Sequence, residues 1–244
     1  MTPPPRSADT PPVPYVPHVG RTRQYVRDII LGVNDGLVSI FLLVAGVVGG
    51  GLTADQVLLA AVAGAIAGAI SMGAGEFLAT QSQQEVLDRE ITLERQHIEF
   101  YRDDEVLQLH EMFTELGIAP DDLDDVVAAF SADDEVLLNA MKVLEFGIVE
   151  TEVRSPYKAM TMSALLFLGG AMPSVIPFVL TNSTGLALTI AGVLTAVGLF
   201  GVGAMKTSIT DGHPVASGMR NLVIAGIGAV IAFGVGVAVN ALIS

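Results

Sequence analysis

The sequence lacks cysteine and has few charged residues. None of its 244 residues is cysteine, which excludes disulfides and thiolate metal sites, so any metal must be bound by oxygen, imidazole nitrogen or thioether sulfur. Charged residues make up 16% of the chain, against about 25% in an ordinary soluble domain. Only 12 residues are basic and 26 are acidic. No basic stripe exists to neutralise phosphates, so we expect no nucleic acid partner.

The chain instead contains long apolar runs. Its mean hydropathy is +0.59, and a helix that spans a bilayer needs about 20 apolar residues. Five segments meet this length, at about 29–50, 56–79, 159–180, 186–205 and 221–243. The sequence therefore predicts an all-α integral membrane protein with five transmembrane helices in a lipid bilayer. Residues 1–24 are rich in proline and predict a disordered tail.

Basic residues predict the orientation of the spans. All twelve lie before span one, between spans two and three, or between spans four and five. Because basic residues accumulate on the cytoplasmic side, we expect the N-terminus and the link between spans two and three in the cytoplasm. The basic residues predict the orientation only, and a plasma membrane and an organelle membrane both remain open.

The link between spans two and three is acidic. Residues 85–157 hold twenty of the 26 acids, which predicts a cytoplasmic three-helix insert at 81–155, between spans one and two (25–80) and spans three to five (156–244). Its first helix, 80–116, would continue from span two. The second would cover 121–130 and the third 132–150, with Ser131 as the N-cap.

Candidate metal ligands lie on two predicted helices of this insert: most follow one helical track on the first helix, and Met141 and Glu145, four residues apart, lie on the third. Glu94 and His97 are three residues apart, which places a carboxylate beside an imidazole. Oxygen and imidazole ligands suit Fe(II), Mn(II) or another divalent cation. The alternatives are a solvated helix face and an acidic surface adapted to a salty cytoplasm. The candidate ligands are Glu94, His97, Glu105, Gln108, Glu111, Glu115, Met141 and Glu145.

Asp35 lies inside the first span. It is the only ionisable residue between Asp28 and Asp55, and a carboxylate at that depth costs at least about 2.5 kcal/mol on insertion. It is therefore a candidate for an ion or proton path, together with Met72 and Glu76 in the second span. The structural alternatives are a buried acid bonded to another helix, a packing methionine and a glutamate that reaches the interface.

Glycines spaced by four residues recur in the first two spans, as Gly32/Gly36, Gly46/Gly50 and Gly64/Gly68. Such pairs let helix backbones approach closely. Their concentration predicts that spans one and two pack tightly together or form a dimer face.

Four segments carry a resemblance to the vacuolar iron transporter (VIT) family: Arg27–Gly36 (RDIILGVNDG), Ser71–Phe77 (SMGAGEF), Met141–Glu145 (MKVLE) and Gly169–Pro177 (GGAMPSVIP). The resemblance implies a homodimer that exports Fe(II), often also Mn(II), from the cytosol in exchange for protons. It implies that metal is the substrate, with no tightly bound cofactor.

The same resemblance implies roles for single residues. Asp35 and Met72 match the transport-path acid and thioether of the family, and Met141 and Glu145 match ligands on the last helix of its cytoplasmic domain. Two Glu-x-x-Glu pairs of the family fall on Glu94/His97 and Glu105/Gln108, so one glutamate of each pair is replaced here.

Three functions remain open at this point. The first is a proton-coupled transporter that exports divalent metal, and it is not an enzyme. The second is a membrane-anchored ferroxidase or metal sensor without transport, because Glu-x-x-His pairs build di-iron sites in helical bundles. The third is a structural insert that only mediates dimerisation.

Overall fold

The computed structural model describes residues 23–147, 155–210 and 213–243, and these form eight α-helices without a β-strand. The all-α prediction is confirmed. The predicted tail at 1–24 lies almost wholly outside the described residues. The helices are α1 (Arg23–Gly49), α2 (Ala54–Phe100), α3 (Arg102–Glu115), α4 (Pro120–Phe130), α5 (Asp134–Leu144), α6 (Pro156–Leu180), α7 (Thr184–Thr210) and α8 (Pro214–Ile243).

Five of these helices, α1, α2, α6, α7 and α8, are long and apolar enough to cross a membrane. They coincide with the five predicted spans. Local sequence sets their ends: Gly51 turns the chain after α1 with a φ of 80°, and the Thr53 backbone N–H donates to the Gln56 side chain at 3.0 Å at the start of α2. Pro156 occupies the first turn of α6. Backbone N–H groups in a first turn have no acceptor within the helix, so the N–H that proline lacks costs no hydrogen bond there.

Helix α1 lies at the centre of the bundle and contacts α2, α6, α7 and α8. Its closest contacts involve glycines on both partners. A Cβ atom on Gly36 would overlap the Phe167 carbonyl oxygen of α6, and a Cβ on Gly170 would overlap the Val33 carbonyl oxygen of α1. The backbones of α1 and α6 therefore touch, because neither glycine has a side chain.

The paired glycines of α1 make their closest contacts with α6 and α8 rather than with α2, whereas Gly64 of α2 packs against Leu43 of α1. The dimer-face alternative stays a prediction. Gly49 of α1 lies against the Phe233 carbonyl of α8. The two paired glycines of α2 pack against side chains rather than against backbone. A Cβ on Gly64 would overlap Leu43, and a Cβ on Gly68 would overlap the Phe167 ring. A glycine spacing predicts a close approach but does not identify the partner helix.

Helix α2 continues far beyond the membrane. It has 47 residues and is thus roughly 70 Å long, whereas the hydrocarbon core is about 30 Å thick. Its C-terminal half must project outside the bilayer. Helices α3 and α5 pack against it, and α4 packs against both. Together they enclose a second hydrophobic cluster, separate from the membrane bundle: Ile98, Leu109, Phe113, Leu123, Val127, Leu137, Leu138, Ala140 and Met141.

Two details of the predicted insert are wrong. The single helix at 80–116 is broken at Tyr101, whose φ of −133° and ψ of 36° are not helical. The third helix begins at Asp134 with Asp133 as its N-cap, since the Asp133 carboxylate accepts from the backbone N–H of Glu135 at 2.9 Å. Ser131 instead ends α4. The third helix also ends earlier than predicted, at Leu144 instead of about 150, with Glu145 as its C-cap; residues 148–150 lie outside the described residues.

The α1–α6 contact predicts opposite effects for two neighbouring glycines. Gly170→Ala should lower the thermal midpoint in detergent by about 3–10 °C, because overpacking costs about 1–3 kcal/mol. Gly169→Ala is the control, since a Cβ there meets no atom within 4 Å and alanine favours a helix. Equal midpoints for the two variants would contradict the close contact.

Candidate metal site

Glu94, His97 and Glu105 converge on one point of the insert. One potential ligand atom from each lies within 4.8 Å of the others. His97 Nδ1 lies 3.2 Å from a carboxylate oxygen of Glu105. Among the described residues, this is the one group of three or more acidic or histidine side chains with the geometry to hold a metal ion.

The helix break at Tyr101 creates this convergence. In an unbroken helix, the eight residues from His97 to Glu105 would span roughly 12 Å along the axis. Here the Tyr101 N–H closes α2 by donating to the His97 carbonyl at 2.6 Å, and α3 begins at Arg102. The chain thereby brings Glu105 back to His97.

Helical periodicity alone does not predict this break, although the sequence contains a signal for it. Asp103, Asp104 and Glu105 form the first turn of α3, and acids at that position are stabilised by the helix dipole. A cluster of three acids after an aromatic pair is therefore a helix start. The Glu105 carboxylate belongs to this turn.

The site is buried and its acids are incompletely bonded. Glu94 is 3% exposed and Glu105 is 5% exposed. Glu94 Oε1 and Glu105 Oε2 are both buried without a hydrogen-bond partner. Burial, reinforced by the negative charges of Glu105 and Glu145 and a hydrogen bond with Glu105, raises the pKa of Glu94 to about 7. A divalent cation would neutralise these carboxylates and occupy the free oxygens.

Glu145 and Gln108 lie at the rim of the site. Glu145 follows α5 and is exposed as a residue. Burial of its carboxyl group raises its pKa, as do the nearby acids Glu105 and Glu90, whereas a hydrogen bond from Gln108 and the proximity of His97 act in the opposite direction. Of the predicted ligands, five thus lie in or beside the site: Glu94, His97, Glu105, Gln108 and Glu145.

The other predicted ligands have different surroundings. Glu111 and Glu115 are exposed on α3 and are outside the three-residue group. Met141 is fully buried and belongs to the hydrophobic cluster of the insert, which is a packing role. Ligation by these three residues stays a prediction.

Asp35 in α1 is partly buried and accepts a hydrogen bond from Ser39 Oγ at 2.7 Å. Ser39 lies one turn further along the same helix, so this bond does not tie α1 to another helix. The neighbouring Asn34 has a buried Oδ1 atom without a hydrogen-bond partner. The sequence pattern did not single out Asn34, because a neutral amide in an apolar run carries no charge signal.

Met72 and Glu76 are partly buried in α2. Met72 packs against the main membrane cluster, which includes residues of α1, α2, α6 and α7. From Glu76 to Glu94 the helix rises roughly 27 Å over 18 residues. The two path candidates on α2, Met72 and Glu76, therefore lie far along the same helix from the candidate metal site.

Known proteins resemble the chain over nearly its whole length. The VIT family matches residues 26–237. Vacuolar iron transporter 1 of Eucalyptus grandis is 34% identical over 89% of this chain and 87% of its own length. Vacuolar iron transporter 1 of Arabidopsis thaliana is 33% identical over 86% of this chain and 84% of its own. Vacuolar iron transporter 2 of Oryza sativa subsp. japonica is 30% identical over 90% of this chain and 89% of its own length.

The names of these three relatives describe transporters. The match extends from α1 through the insert to α8, so it includes both the candidate metal site and Asp35. The chain belongs to the VIT family.

Proposed function

We propose that the protein exports Fe(II), and Mn(II) as a second substrate, from the cytosol in exchange for protons. The single observation that carries this proposal is the Glu94–His97–Glu105 group, whose two unpartnered carboxylate oxygens are buried beside an imidazole. The names of the relatives, all vacuolar iron transporters, support metal as the substrate. The insert would collect metal on the cytoplasmic side.

Asp35 would carry the exchange within the membrane. A carboxylate binds either a cation or a proton, which is the minimal chemistry of antiport. Its bond to Ser39 uses only one oxygen in the structure, so the other lone pairs are available to an ion. Met72 offers a soft thioether to a transition metal and Glu76 a hard carboxylate, and both lie on α2, which contacts α1.

The insert would act by raising the local metal concentration. Since Glu94 and Glu76 are roughly 27 Å apart along α2, no ion can be bound by both at once. Twenty of the 26 acids lie in residues 85–157, and such a concentration of negative charge attracts cations by long-range electrostatics. Ions released from the site would then reach the membrane path by diffusion.

A homodimer is supported by an apolar stripe on the projecting part of α2. Val86, Leu93 and Phe100 are 58%, 42% and 70% exposed. Their spacing of seven residues puts them on one face of the helix, as in the seam of a coiled coil. A second copy of the chain would cover this stripe by placing its own α2 alongside.

A ferroxidase is less well supported than transport. A di-iron bundle takes a Glu-x-x-His pair from each of two helices plus two further glutamates. Within the described residues there is one group with metal-binding geometry, and it has one histidine. Oxygen consumption on adding Fe(II) to the purified protein, without any uptake into proteoliposomes, would favour the ferroxidase.

Glu94→Gln should weaken metal binding and stabilise the metal-free protein at alkaline pH. Folding raises the pKa of Glu94 from 4.5 to about 7, so the contribution of Glu94 to stability is fully present below pH 4.5 and is lost as pH rises through 7. At pH 8 the variant should melt about 3–6 °C higher, equivalent to 1–2 kcal/mol. The difference should become small as pH falls towards 5.

Stability is measured by thermal unfolding from pH 5 to 8 in the presence of a chelator. Metal binding is measured by Co(II) titration, in which the affinity of Glu94→Gln for Co(II) should be about tenfold or more below that of wild type. Glu99→Gln is the matched control, because Glu99 is exposed on the same helix. A Glu94→Gln protein that binds Co(II) like wild type would contradict the role of Glu94 as a ligand.

Asp35→Asn should abolish proton-coupled transport. The amide has nearly the same shape as the carboxylate but cannot take up a proton or neutralise a cation. Uptake of Fe(II) and Mn(II) into proteoliposomes under a pH gradient measures the effect, and we expect a loss of more than about 100-fold. Asp55→Asn, in the first turn of α2, should transport normally. Unchanged transport in Asp35→Asn would remove Asp35 from the path.

The proposed dimer can be tested by cross-linking, because the chain has no cysteine. Leu93→Cys should form a disulfide-linked dimer on mild oxidation in membranes, since two α2 helices in a parallel seam bring equivalent residues together. Asp88→Cys is the control, because Asp88 is exposed on the other side of α2. Equal cross-linking of both variants would indicate random collision.

A further inference from the structure

We propose that His97 sets the metal preference of the insert, so that the site favours nitrogen-preferring cations such as Fe(II), Co(II) and Zn(II) over Mn(II). This inference rests on the proposed function of the site as a metal collector. It concerns one side chain, the imidazole that faces two buried carboxylates.

The ring of His97 is directed to the site. Its Nδ1 atom lies 3.2 Å from the Glu105 carboxylate, and its ring meets Tyr101 edge-on, with centroids 6.3 Å apart and an interplanar angle of 84°. The helix break thus fixes both the position of Glu105 and the orientation of the imidazole. An ion between the three side chains would bind nitrogen as well as oxygen.

A plain histidine–glutamate ion pair does not account for the site. Such a pair uses one oxygen of Glu105, and Glu94 Oε1 and Glu105 Oε2 remain buried without partners. Buried carboxylate oxygens without donors are costly. A cation would satisfy all three groups at once. In the structure their ligand atoms lie within 4.8 Å of one another, and three atoms each about 2.1 Å from one ion would be only slightly closer together. The side chains would therefore need to move only a short distance to bind it.

Ligand chemistry then determines the preference. Mn(II) is a hard cation that suits carboxylate and water oxygens, whereas imidazole suits Fe, Ni, Cu and Zn. Affinity for any mixed site increases from Mn(II) to Co(II), so the size of the Co(II)/Mn(II) ratio measures the contribution of nitrogen. Replacing the imidazole by a third carboxylate should reduce that ratio.

The test compares His97→Glu and His97→Gln with wild type in the full-length protein in detergent. Co(II) and Mn(II) are titrated separately by calorimetry, and the visible absorption spectrum of the Co(II) form reports nitrogen ligation. In His97→Glu the Co(II)/Mn(II) affinity ratio should fall about tenfold or more, and the Co(II) spectrum should change. His97→Gln should lose more affinity for Co(II) than for Mn(II).

His110→Glu is the matched control. His110 lies on α3 with its Nε2 atom 4.0 Å from Asp124, outside the three-residue group, so the same substitution should leave the ratio unchanged. An unchanged ratio and spectrum in both His97 variants would overturn the inference while the collector remains. If wild type bound neither metal, the collector itself would be wrong and the inference with it.

Discussion

Carboxylates withdrawn from water need a proton, a hydrogen-bond donor or a cation to offset their lost hydration. This need arises both in the metal site of the insert and at Asp35 in the membrane bundle. In the insert, Glu94 and Glu105 are buried with one oxygen each unpartnered. In the membrane bundle, Asp35 has the Ser39 hydroxyl as a local donor. The acids of the insert are therefore incompletely satisfied, and Asp35 accepts a bond from Ser39 through one oxygen only. The proposed transport chemistry depends on this incomplete satisfaction.

Rigid packing holds these acids in place. The reciprocal glycine contact of Gly36 and Gly170 joins α1 to α6 directly beside Asp35. In the insert, the hydrophobic cluster around Leu109 and Leu137 stabilises the fold that returns Glu105 to His97. Without such packing, two buried carboxylates would separate or take up water. The apolar contacts therefore supply the free energy that keeps the charged groups together.

The spans were predictable from sequence because hydropathy is a local property of about 20 residues. Part of the site was also predictable, since Glu94 and His97 are neighbours on any helix. The contact of His97 with Glu105 was not predicted, because it depends on the break at Tyr101, and the helical periodicity outweighed the one local signal for that break, the acidic first turn of α3. Likewise, the spacing of Gly32 and Gly36 predicted a close contact, but its partner α6 is far away in sequence.

In the proposed function, the length of α2 would separate metal capture from transport. A site inside the bilayer would need to bind metal strongly to compete with water, and strong binding slows release into the path. A separation of roughly 27 Å between Glu94 and Glu76 would let the insert bind metal tightly while the membrane residues bind it weakly. Because α2 is continuous from Ala54 to Phe100, one helix still connects Glu76 in the bundle to Glu94 in the insert.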